Sequence, residues 1–229
     1  MVAFGCKPAE TPQSGGSAPA ASAHGAGGDL AALPTAGAND AAVALAEEAD
    51  RLAGEGRFAE AVEKLKLATA ADPGDEETLF NLAFYESRLG RTNDAIGHYQ
   101  AVIAISPKYV EAHNNLGNLH LKRNDLTQAR SSFSEAIRLN AKQPSAHNNL
   151  GIVNAREGRL AEAIQQFEQA TRLKPDYTEA WVNLGNALVG QGRLNEAIPP
   201  FEMALQIQPG LPTAVEGLRR VRLRLGGTP

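Results

Sequence analysis

The sequence predicts an all-α solenoid: five helix–turn–helix units laid in series, one capping helix after them and an unstructured tether before them. Three observations predict it. A register alanine recurs at a spacing of 34 residues, at Ala61, Ala95, Ala129, Ala163 and Ala197. Four residues behind it stands a bulky apolar side chain, Leu65, Tyr99, Phe133, Phe167 or Phe201, then a small or β-branched one at Ala68, Val102, Ala136, Ala170 and Ala204. Pro73, Pro107, Pro175 and Pro209 close four of the five units, with Ala141 in the odd one. A fixed period of this length marks a stack of supersecondary units, none able to bury its apolar face alone. Such a stack acts by offering a surface, and chemistry is not expected of it.

The elements follow in chain order. Residues 1–6 form a short apolar start. Residues 7–41 are rich in Ala, Gly, Pro and Ser and have no periodicity. Such a segment buries too little surface to offset its ordering entropy, so it reads as a flexible tether. Residues 42–75 form a degenerate first unit, with Glu48-Ala49 where Leu-Gly is expected. Residues 76–109, 110–143, 144–177 and 178–211 are the four further units, and 212–225 is the capping helix.

The fourth unit shows how each is built. Pro144 suits the first turn of a helix, where its missing N–H costs nothing. His147, Leu150, Gly151 and Asn154 then fall on one helical face. Gly158 ends that helix, as a residue at ease in the left-handed region should. Leu160 to Leu173 carries a second stripe of Ala163, Ile164, Phe167, Ala170 and Leu173, stopped by Pro175. The same reading fits Val110–Leu139 and Thr178–Ile207, and more loosely Ala42–Ala71 and Glu76–Ile105. Gly117, Gly151 and Gly185, with Ala83 in the second unit, fall where the two helices should cross closely, since larger residues would hold them apart. Pro199 and Pro200 lie inside the last unit's second helix, where Pro200 should clash with the Glu196 carbonyl and distort the first turn.

The pattern Trp181-x-x-Leu184-Gly185-x-x-Leu188 followed by Ala197, Phe201, Ala204 and Pro209 resembles the tetratricopeptide repeat (TPR), over roughly three-quarters of the chain. The resemblance implies a right-handed TPR α-solenoid whose first helices line a concave groove. His113 and His147 stand in the bulky place that Trp181 fills. Pro212–Leu225 resembles the solvating helix that covers the end of such a stack, and Arg219, Arg220, Arg222 and Arg224 should give it a basic outer face.

Asn81, Asn115, Asn149 and Asn183 recur at one place in four consecutive first helices. Asn114 and Asn148 precede two of them, and Asn118 and Asn186 lie one turn on. A side-chain amide offers both donor and acceptor, so a row of them suits the backbone of an extended peptide. The row resembles the asparagine ladder in the TPR domain of O-GlcNAc transferase, which holds substrate chains by their backbone. The alternative is that Asn, a common residue at this place in the repeat, only solvates the groove. Arg88, Lys122 and Arg156 share a position late in the first helix, and Glu77, Glu111 and Glu179 share one at its start. They form either a basic and an acidic edge to the groove or favourable charges at helix ends. The chaperone-binding TPR class uses a set of Lys, Asn and Arg whose lysine is missing here at the start of the first three units.

Cys6 is the single cysteine, so no disulfide framework or cysteine metal cluster is expected. Following Val2-Ala3-Phe4-Gly5 and preceding the tether, it resembles the lipid-bearing cysteine of a bacterial lipoprotein, although Ala3 stands where Leu is usual and Phe4 is large for its place. That reading requires a signal upstream of Met1 and puts the chain in the envelope, anchored by lipid; otherwise Cys6 is a stray cysteine and the chain a cytoplasmic adaptor.

Formal net charge is −4, distributed as −2 over residues 1–41, −5 over the repeats and +3 over 212–229. A net-acidic body without a basic stripe excludes nucleic acid as the expected partner. His113 and His120 share a helical face, but no carboxylate triad or H-x-x-x-H spacing accompanies them, so packed histidines are expected and no metal. Nucleophile elbow, phosphate loop and paired catalytic carboxylates are all missing, so no cofactor and no enzyme are expected. The expected function is a non-catalytic scaffold for an extended segment of another protein, like the TPR lipoproteins that help assemble envelope complexes if Cys6 is lipidated. The alternatives are a soluble adaptor and a substrate-binding or regulatory module acting with a glycosyltransferase.

Overall fold

A 34-residue unit with two apolar stripes and a left-handed break between them should fold as a helical hairpin, and the computed structural model, which describes residues 36–226, has that form throughout. Among the described residues all regular structure is helical. The chain forms two compact units, residues 36–105 and 106–226. The first holds α1 (Ala36–Gly54), α2 (Phe58–Ala71), α3 (Glu76–Arg88) and α4 (Thr92–Ile105). The second holds α5 (Val110–Lys122), α6 (Leu126–Leu139), α7 (Pro144–Arg156), α8 (Leu160–Leu173), α9 (Thr178–Gly190), α10 (Leu194–Ile207) and α11 (Pro212–Arg224). Helices α3, α5, α7, α9 and α11 begin at the repeat boundaries read from the sequence. Helix α1 begins at Ala36, inside the stretch whose composition suggests a tether; residues 1–35, Cys6 included, lie outside the described residues.

Each hairpin closes around the register residues. Ala61, Ala95, Ala129, Ala163 and Ala197 are wholly buried, as are Leu65, Tyr99, Phe133, Phe167 and Phe201. Burying one such phenylalanine stabilises by roughly 1.5–3 kcal/mol. The aromatic ring sits against the small residue of the first helix. A Cβ added at Gly117, Gly151 or Gly185 would lie 2.6, 2.6 or 2.8 Å from Cε1 of Phe133, Phe167 or Phe201. The close helix crossing expected of these glycines is present.

One turn position recurs in left-handed conformation: Gly56, Gly90, Gly158 and Gly192 at φ of 79°, 76°, 79° and 78°, with Asn124 taking the place at 63°. Asparagine is the side chain best suited to substitute there. Where Ala141 replaces the closing proline, Asn140 Oδ1 accepts the Lys142 amide at 3.0 Å, as Asp72 Oδ1 accepts the Gly74 amide beside Pro73.

The distortion expected at Pro200 is not found. Helix α10 runs unbroken from Leu194 to Ile207. The two prolines remove only the N–H groups that would have served the carbonyls of Asn195 and Glu196, both on exposed residues, while buried Ala197, Pro200, Phe201 and Ala204 hold the segment in the core.

Candidate partner-binding surface

In the second compact unit the first helices lie side by side, α5 against α7, α7 against α9 and α9 against α11. Amide side chains cross each seam. Asn149 Nδ2 donates to Asn118 Oδ1 at 2.8 Å between α7 and α5. Asn183 Nδ2 donates to Asn148 Oδ1 at 3.0 Å between α9 and α7. At the last seam Arg220 Nη2 donates to Asn186 Oδ1 at 3.0 Å. A longer contact of 3.4 Å runs from Asn148 Nδ2 to Asn149 Oδ1.

These bonds decide how far solvent reaches the row. Asn149 and Asn183 are 3% and 1% exposed, and Asn114, Asn148 and Asn186 are buried too. Asn115 and Asn118 on α5 are half-buried, as is Asn81 in the first unit. The Asn114 Oδ1 atom is buried with no hydrogen-bond partner, because Asn149 turns to Asn118 instead. The sequence could place these residues in register; it held no signal for which neighbour each amide would take.

The charged rows behave differently. Glu77, Glu111, Arg88, Lys122 and Arg156 are exposed, while Glu179 is half-buried. Arg156 Nη1 donates to the Leu121 carbonyl at 3.2 Å, a second bond on an acceptor that already takes the Asn124 amide at the end of α5. Arg88 instead lies 4.3 Å above the Phe58 ring within the first unit.

The histidines fill a structural place. His113 Nε2 faces the Pro107 carbonyl at 2.9 Å and His147 Nε2 the Ala141 carbonyl at 3.0 Å. At the same register Trp181 Nε1 donates to the Pro175 carbonyl at 2.8 Å. A ring N–H thus ties each of these first helices to the loop before it, whichever ring supplies it. Among the described residues no group of three or more His, Cys, Asp or Glu is placed to hold a metal, and no helix is long and apolar enough to cross a membrane.

Two polar clusters lie outside the residues that the sequence pattern singles out. Glu86, 0% exposed, faces His98 Nδ1 through Oε2 at 2.7 Å, while its Oε1 has no hydrogen-bond partner. Glu157 pairs with both Arg130 and Arg159, and Arg159 also donates to Asn154 Oδ1 at 2.8 Å. Burial, and then the nearby Arg159 charge, lowers the Arg130 pKa. The readable signal was register: Glu86, His120 and Asn154 stand where Leu52 and Leu188 are apolar.

On helix α11 Arg219, Arg222 and Arg224 are exposed, and Arg220 alone leaves the expected basic outer face. Arg219 pairs with Glu216 at 2.8 Å, and that hydrogen bond holds the Glu216 carboxyl below the usual carboxylate range. Arg220 turns inward to α9.

Tetratricopeptide repeat models match residues 114–178 and 158–212, and a further TPR model matches 88–123. The chain belongs to the tetratricopeptide repeat family. No curated protein matches it. Among solved structures, the TPR chain is similar to MamA protein at 27% identity, over 74% of this chain and 92% of that one, with a TM-score of 0.68. It is similar to TTC0263, a thermophilic TPR protein of Thermus thermophilus, at 25% identity over 80% of this chain and 100% of that one, with a TM-score of 0.60. YrrB, described as a TPR protein with an unusual peptide-binding site, shares the fold at 20% identity, covering 78% and 92% of the two chains with a TM-score of 0.66. A protein-interaction role goes with membership of the TPR family.

Proposed function

We propose that this TPR chain is a non-catalytic scaffold that lays an extended segment of a partner protein along the layer formed by α5, α7, α9 and α11. The observation that carries the reading is the continuity of that layer, with charged and amide side chains at its surface. Glu111, Asn115, Asn118 and Lys122 on α5 and Arg156 on α7 are the groups a segment would meet first. Asn149, Asn183, Asn148 and Asn186 contribute mainly by fixing the seams that carry those groups, since their bonds run between helices. In the first unit Asn81 and Arg88 are the corresponding groups on α3.

The test is co-purification of a partner from the native host with wild type and with the variant Glu111→Lys, Lys122→Glu, Arg156→Glu, after both are shown to keep the same helical melt. Loss of the partner with the fold intact supports the reading. Equal capture by both chains sinks it.

On the same reading Cys6 carries lipid in an envelope-anchored form, supported by Gly5-Cys6 and the Ala/Gly/Pro/Ser-rich run behind it. Metabolic labelling with an alkyne fatty acid should mark the native protein and miss Cys6→Ala; label retained by that variant contradicts it.

A further inference from the structure

A cavity of about 370 Å³ opens at the α9–α11 end of the layer, lined by Val189, Gly190, Arg220, Leu223 and Arg224. Part of its wall is legible in register. Arg88, Lys122, Arg156 and Arg224 share one position, which is glycine at Gly54 in the first unit and at Gly190 beside the cavity. Gly190 therefore adds no side chain to the cavity wall.

Three features give the cavity a chemical character. Arg220 is held by its bond to Asn186, yet its Nε atom is buried with no hydrogen-bond partner. A buried donor left unpaired is unfavourable, and a planar guanidinium held in place by its Nη2 bond is pre-arranged for a carboxylate on its remaining N–H groups. Arg224 makes no ion pair among the described residues, and Glu216, the acidic residue of α11, lies two turns away and is taken by Arg219. The remaining lining is apolar: Val189 is buried, and Leu223 is among the large hydrophobic side chains left exposed.

We propose that this cavity binds an acidic segment of the partner protein, seating an Asp or Glu side chain on Arg220 and Arg224 with a neighbouring aliphatic residue against Val189 and Leu223. This rests on the groove reading above and names what one end of that groove selects. Charge complementarity favours the occupant: two cations line the cavity and no acidic residue does. A nucleic acid or polyphosphate carries more charge than the two arginines can neutralise, and the repeats beyond them carry a net −5.

The test follows the Arg220 Nε–Hε signal in nitrogen-labelled full-length protein. The probe is the acetylated, amidated peptide Gly-Ala-Glu-Leu-Asp-Leu-Ala-Gly, and its control carries Gln and Asn in place of Glu and Asp. The acidic peptide should shift the signal, its affinity falling with salt, while the neutral one leaves it unmoved. Arg224→Gln should weaken binding by about tenfold.

An equal response to both peptides, no response to either, an equal response to inorganic phosphate, binding only when the peptide ends in a free carboxylate, or unchanged binding by Arg224→Gln would each overturn the proposal. The groove reading fails separately, through equal partner capture by the Glu111, Lys122 and Arg156 variant.

Discussion

Asn183 donates its side-chain amide to the Asn148 carbonyl oxygen at 3.0 Å, with both side chains shut away from water where α9 meets α7. A repeat stack is stabilised by its hairpins and by the interfaces between them, and this bond makes the interface specific as well as adhesive. Asn183→Ala leaves an acceptor buried without its donor and should cost about 1–3 kcal/mol. Replacing both partners, as in Asn148→Leu with Asn183→Leu, should cost much less than the single change. Urea unfolding followed by circular dichroism checks the order of the three midpoints.

The aromatic–glycine contact makes a second expectation. In Gly151→Ala the new methyl would lie 2.6 Å from Phe167 Cε1, so the ring or the helix must move. The cost should be about 1–3 kcal/mol. Phe167→Leu added to Gly151→Ala should cost less than the sum of the two single changes, because the smaller side chain admits the methyl. Thermal melts of the two single variants and the double variant measure the coupling.

The register turn offers a cleaner comparison. Gly158 at φ 79° and Asn124 at φ 63° occupy the same place in successive units. Gly158→Ala should destabilise by about 1–2 kcal/mol, since Cβ is disfavoured in the left-handed region. Asn124→Gly should be close to neutral, relief of that strain offsetting the greater freedom of the unfolded chain. Matched denaturation curves decide both.

Acid should weaken the exposed ion pairs. Arg219 lowers the pKa of Glu216, Arg138 that of Glu135 and Arg193 that of Glu196, each first through a side-chain hydrogen bond. A carboxylate with a depressed folded value contributes stability above its unfolded value and loses it as pH falls through the folded one. Stability should therefore hold above the ordinary glutamate value of 4.5 and decline below it. The effect is small because the pairs are exposed to solvent. Glu216→Gln should shrink the decline measured by urea midpoint against pH.

Much of the fold was readable because its determinants are periodic. Ala163, Phe167 and Ala170 specify one helix and Gly151 its partner's approach, all at fixed offsets, and the structure buries them as expected. The surface was less readable because its determinants are pairwise. Register puts Asn149 and Asn183 in one row, but bonds to Asn118 and Asn148 turn them into seam residues. Arg220 reads as part of a basic outer face, and Asn186 draws it inward. Gly190 in sequence is a gap in a basic row, and nothing in the sequence marks the cavity that α9 and α11 line beside it. Composition reads residues 36–41 as tether, yet Ala36–Gly54 is one helix because Ala42, Ala49 and Leu52 find a buried face.

The central claim is that the layer of first helices receives the partner. A photo-crosslinking amino acid placed in turn at Glu111, Lys122 and Arg156, and as controls at Ser131 on α6 and Gln165 on α8, tests it in the native host. All five positions are exposed, so reactivity does not favour one set. The account predicts one partner protein joined from the three first-helix positions and little or none from the two controls. Adducts confined to Ser131 and Gln165, or spread equally over all five, would contradict it.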